Sequence, residues 1–104
     1  MIPPPLRPFI GRLLQATNEG EITWREGAEG AYFATQKDAN IHLRYHFDDD
    51  TGESGYVFRI IRKSGDAFFS VMSDEDDFGI LRNLYSAVSV NAAGGQGLVD
   101  GLFD

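Results

Sequence analysis

The sequence predicts an α+β domain: an N-terminal helix, a five-stranded antiparallel meander and a C-terminal helix, with both helices packed on one face of the sheet. Three observations carry this. Apolar residues near the start and in the last third recur at helical spacing, and between them the period drops to two. The strand-like runs are joined by Gly- and Asp-rich links too short for a parallel crossover.

The opening "MIPPPLRPFIGRLL" carries prolines at positions 3, 4, 5 and 8, so it starts extended. Pro8 is tolerated in a first helical turn, where its missing N–H would have no intrahelical partner. Phe9, Ile10, Leu13, Leu14 and Thr17 then form a stripe, and "TNEG" ends it with Gly20 as the left-handed residue. A helix over about 6–17 is expected.

Next, "EITWREG" places Ile22 and Trp24 together, and "AYFATQ" reads as a second strand after the glycines of "GAEG". The clearest pattern is "IHLRYHF", where Ile41, Leu43, Tyr45 and Phe47 alternate with His42, Arg44 and His46. Successive side chains of a strand point to opposite faces, so a half-buried strand reads this way. "YVFRIIRK" continues with Tyr56, Phe58 and Ile60 on one side, and "AFFSVM" follows the turn "SGD" as a fifth strand. In "SDEDDFGILRNLYSAVSV", Ser73 or Asp74 is the expected N-cap, and Phe78, Leu81, Leu84, Tyr85 and Val88 form the apolar stripe. The expected core is Phe9, Leu13, Ile22, Trp24, Phe33, Leu43, Tyr45, Phe58, Ile60, Phe69, Leu81, Leu84 and Tyr85.

A chain of 104 residues is one domain's worth. Residues 1–91 are assigned to it, and 92–104 to a Gly-rich linker with an apolar, acidic tail. The formal net charge of −7 opposes attraction to phosphate backbones and anionic lipid, and favours a basic partner. With no cysteine there is no disulfide framework or thiol nucleophile. No apolar run approaches the roughly 20 residues of a membrane span. The start is too interrupted for a secretory leader, so a cytoplasmic protein is expected.

"HFDDDTGESGYVF" raises the question of a metal loop. Counted from Asp48, an EF-hand needs Gly at position six and a bidentate acid at position twelve; here those positions are Glu53 and Arg59. Asp48, Asp49 and Asp50 are therefore read as a hairpin tip. His42 and His46, four apart on a strand, are separated by roughly 13 Å, too far for two ligands of one ion. No metal or cofactor is expected. The absence of a G-x-S-x-G elbow and of phosphate-binding glycine loops argues against an enzyme.

His42, Arg44, His46 and Arg59, with Arg25, line the open sheet face. That face would suit single-stranded nucleic acid if aromatic rings stood among them, but the strand pattern is expected to turn most rings inward. Asp74, Glu75, Asp76 and Asp77 suit the positive end of the last helix, and with Asp48–Asp50 they could instead imitate a phosphate array. In the tail, Leu98, Val99, Leu102 and Phe103 follow "AAGGQG" and are interspersed with Asp100 and Asp104. Either the tail folds back on a domain, or it is a short motif for a partner's groove. Such an acidic, apolar tip resembles the partner-recruiting tails of bacterial single-strand-binding proteins. Leu102 and Phe103 of "GLF" resemble the end of sliding-clamp-binding peptides.

The expectation is a non-catalytic protein-binding or adaptor domain of chaperone, immunity or regulatory type, assembling as a homodimer. It would act through the sheet face, the acidic patches and the tail, on another protein with a basic surface. The alternatives are an acidic inhibitor that mimics nucleic acid in a phage-defence or anti-defence setting, and a single-stranded nucleic-acid binder using the basic strand face.

Overall fold

The structure, a computed structural model, describes residues 1–103. After a 3-10 turn at Pro4–Leu6, the order is α1 (Arg7–Glu19), β1 (Trp24–Glu26), β2 (Ala31–Gln36), β3 (Ala39–Phe47), β4 (Ser54–Arg62), β5 (Gly65–Met72) and α2 (Phe78–Ala92). A second 3-10 turn, Gly95–Leu98, follows α2. The strands form one five-stranded sheet in the order β1-β2-β3-β4-β5, every pair antiparallel.

Helix α1 runs two residues beyond the expected end at 17. Thr17 does not stop it, because its hydroxyl donates back to the Leu13 carbonyl at 2.7 Å and accepts from Trp24 Nε1 at 3.1 Å. The helix ends where Gly20 takes φ +74°, a conformation that residues with a Cβ adopt only at a cost.

Side-chain parity sets the layers. Tyr32, Ala34, Ile41, Leu43, Tyr56, Phe58, Phe69 and Val71 point to the face that α1 and α2 cover, and all are buried. They meet Ile10 and Leu13 of α1 and Leu81, Leu84 and Val88 of α2 in one core. Phe58 is its centre, stacked on Phe69 at 5.2 Å and met edge-on by Phe9 at 6.4 Å.

Several core expectations are corrected. Phe33 points away from the helices, because its neighbours Tyr32 and Ala34 face inward and adjacent residues of a strand alternate. Tyr45 has the inward parity but lies towards the end of β3, where helix cover is incomplete, and stays 38% exposed. Phe9, Ile60 and Tyr85 do pack against the core, though only half-buried. Ile2, in the segment read only as an extended lead, is buried at 1% exposure.

The expected cap at Ser73 or Asp74 is also corrected. Helix α2 begins at Phe78 with Asp77, not Ser73 or Asp74, at its N-cap, and Asp77 makes no side-chain cap bond because its carboxylate is engaged elsewhere. Glu75 accepts the Met72 N–H at 2.7 Å and the Met1 amine. Asp77, 6% exposed, accepts the Ile2 N–H and an Arg7 N–H at 2.8 Å each. These bonds, led by that from Ile2, hold the Asp77 carboxyl below its ordinary range.

At the other end of α2, Asn91 joins three elements. Its Oδ1 accepts the Trp24 N–H at 2.8 Å, and its Nδ2 donates to the carbonyls of Ile22 at 2.8 Å and Thr17 at 3.1 Å. Three backbone groups at irregular chain ends are thus satisfied by one side chain.

Candidate binding face

The helices leave the second sheet face uncovered. Register places Arg25, Phe33, His42, Arg59 and Phe68 in one row that crosses all five strands. Ala31, Arg44, Val57 and Ser70 form the next row. Phe33 and Phe68 sit three strand spacings apart, about 14 Å between backbones. Between them lies a shallow concavity of about 410 Å³, with Ala31 and Val57 among its apolar lining and Arg44 and Arg59 contributing charge.

The rings correct the expectation that this face lacks aromatics. Phe68 is 68% exposed, next to inward-facing Phe69. Phe33 packs edge-on against His42 with centroids 4.7 Å apart. Gly27 makes room for this ring, because a Cβ there would overlap it. The Phe33 placement had little signal in the sequence, since "AYFATQ" has large apolar residues at both parities. Phe68 is half of an adjacent pair, of which alternation allows only one inside.

The electrostatics are asymmetric. Arg59 pairs with Asp66 at 3.1 Å, an exposed bond, whereas Arg25 and Arg44 have no ion-pair partner among the described residues. His42 has its pKa lowered, first by burial and then by the charges of Arg59 and Arg25. Its neutral form is favoured at pH 7, so the positive charge of this face comes from arginine. His46 lies on the same face towards the end of β3, opposite Gly55.

The other expected site residues are elsewhere. Asp48–Asp50 form an exposed turn at the β3–β4 tip: the Asp50 N–H bonds to Asp48 Oδ1 at 2.9 Å, and the Gly52 N–H to the Asp48 carbonyl at 2.8 Å. The 74–77 run lies at the same end of the sheet, where the Ser73 N–H reaches the Ser54 carbonyl at 2.8 Å. Asp74 and Asp76 face solvent there, while Glu75 and Asp77 make the internal bonds described above. No group of three or more potential metal-ligating His, Cys, Asp or Glu side chains occurs among the described residues.

In the tail, Leu98 and Val99 line a groove with Leu14 and Val90 between α1 and α2. Leu102 and Phe103 project, 66% and 100% exposed, and Asp104 lies outside the described residues. No helix among the described residues is long and apolar enough to cross a membrane. Comparison of the chain with protein families, curated proteins and solved structures finds no match.

Proposed function

We propose that the protein is a non-catalytic binding module whose recognition surface is the open sheet face, and that its partner is another protein. The observation that carries this is the exposed Phe68 set with Phe33 beside Arg44 and Arg59, on a face that no element among the described residues covers. Exposed rings flanked by arginine match the composition of binding hot spots, which concentrate aromatic and Arg side chains. The ligand chemistry that fits is an apolar segment carrying carboxylates, because a guanidinium takes a carboxylate through paired N–H bonds. The solvent-facing acids at the sheet end, Asp48–Asp50, Asp74 and Asp76, add a rim that favours basic surface around that contact. A cytoplasmic, homodimeric regulator or adaptor remains our reading of its setting.

One observation favours a second reading. Two rings in one cross-strand row, with arginines between and beside them, could stack and neutralise single-stranded nucleic acid. The net charge of −7 opposes it.

The readings separate in one experiment. Immobilised wild-type protein and a double variant, Arg44→Glu with Phe68→Ser, are incubated with extract of the source cell with and without nuclease. A protein captured by wild type alone, in both conditions, supports the first reading. Capture that depends on nucleic acid, with a labelled oligonucleotide bound directly at low salt, supports the second. Equal capture by both chains contradicts both.

A further inference from the structure

The chain itself contains a segment of the chemistry that the open face fits. Leu102 and Phe103 are exposed apolar neighbours, with Asp100 two residues before and Asp104 directly after. The concavity is lined by Ala31, Val57, Phe33 and Phe68, with Arg44 and Arg59 supplying two positive charges against the single carboxylate of Glu29. We infer that this concavity receives the Leu102–Phe103 pair of a second copy, with Asp100 on the side of the arginines, so that the protein self-associates through its tail. The inference rests on the reading of the open face as a binding surface.

A second copy is the occupant because the chain's own tail is on the wrong side. Leu98 and Val99 sit in the groove between α1 and α2, on the helical layer. The Val99 N–H donates to the Gln96 carbonyl at 3.2 Å, and the Leu102 N–H to the Val99 carbonyl at 3.3 Å, which holds the tail in turns there. Four residues, Asp100–Phe103, span at most about 14 Å even when fully extended. The open face is across the molecule, whose shortest principal extent is 25 Å. Another molecule's tail meets no such limit. Because the tail leaves the helical layer and the concavity lies on the opposite face, the contact is heterologous, and its repetition builds head-to-tail assemblies.

The contact combines effects already present in the chain. Phe103 gains ring–ring and apolar contact with Phe33 and Phe68, and burying an exposed aromatic is the largest single contribution such a short segment offers. The carboxylates confer orientation and select against basic segments.

The test uses the full chain and a synthetic peptide of residues 98–104. Sedimentation of the wild type from low to high micromolar concentration is expected to show its mass rising progressively above that of the monomer. A full-length Leu102→Ser, Phe103→Ser variant is expected to remain monomeric. The peptide, added to that variant, should shift the amide resonances of Phe33, Arg44, Val57 and Phe68. Adding Arg44→Glu should weaken the peptide by about tenfold, the equivalent of 1.4 kcal/mol. A wild type that stays monomeric, a variant that associates equally well, or peptide shifts confined to the Leu14–Val90 groove each overturn the inference. If the peptide is silent while Arg44→Glu with Phe68→Ser still abolishes capture of another protein, the binding face stands and the self-association falls. If the peptide maps to the face but capture ignores that double variant, self-association stands and recognition of another protein through this face falls.

Discussion

The two faces of the sheet are made by the same strands, often by adjacent residues, yet they have opposite characters. Phe69 is buried against Phe58, while Phe68, one position earlier, is 68% exposed beside Arg59. Tyr32 is buried beneath the helices, while Phe33 packs on His42 in the open. The difference shows that an aromatic side chain in a strand does one of two jobs according to its parity. On the covered face its area drives folding. On the open face the same area is available for association, and the surrounding arginines set its specificity.

Substitutions can break or sharpen this contrast. The largest effect is expected at the centre of the covered face: Phe58→Ala should lower unfolding free energy by about 3–5 kcal/mol in urea titrations, through lost burial and the cavity left behind. Asn91→Ala should cost about 1–3 kcal/mol, because the Trp24 N–H and the Ile22 carbonyl lose their side-chain partner, while the Thr17 carbonyl keeps the Gly20 N–H. The Asp77 clamp adds a pH dependence. Its folded pKa is depressed, so its contribution is present above the unfolded value near 3.9 and disappears as pH falls through the folded value. Wild type should therefore lose urea resistance in acid, and the deficit of Asp77→Asn at pH 7 should shrink there.

On the open face the effects on stability become small and local. Phe33→Ala should raise the NMR titration midpoint of His42 towards 6.5, because burial is the first cause of its depression and the Phe33 ring packs against it. A midpoint unmoved by that change would mean that other groups shield the imidazole. Phe68→Ser should alter unfolding free energy by no more than about 0.5 kcal/mol, as expected for an exposed side chain.

The alternation in "IHLRYHF" made β3 legible, and with it the antiparallel sheet and the arginine-bearing face. Legibility failed where periodicity was silent. "AYFATQ" offers apolar side chains at both parities, so nothing local decides whether Tyr32 or Phe33 goes inside; the register with β3 does. The same holds for Phe68 and Phe69. Tyr45 has the right period and packs against Tyr56 and Tyr85, but it lies towards the end of β3 and stays partly exposed, which alternation within the strand does not reveal. The clamp by Asn91 and the burial of Ile2 by Asp77 depend on contacts across most of the chain, and no local pattern announces either. The acids of 74–77 look alike in sequence, and only the packing of the N-terminal segment separates Asp77 from Asp76.

The central claim is that folding and recognition reside on opposite faces of one sheet. Its most direct measurement compares wild type with the Arg44→Glu, Phe68→Ser variant in thermal unfolding and in capture of the protein partner. The account predicts melting temperatures within about 4 °C of each other, the shift of roughly 1 kcal/mol in a domain this size, together with loss of the captured protein. Undiminished capture by a variant that melts with wild type would contradict it.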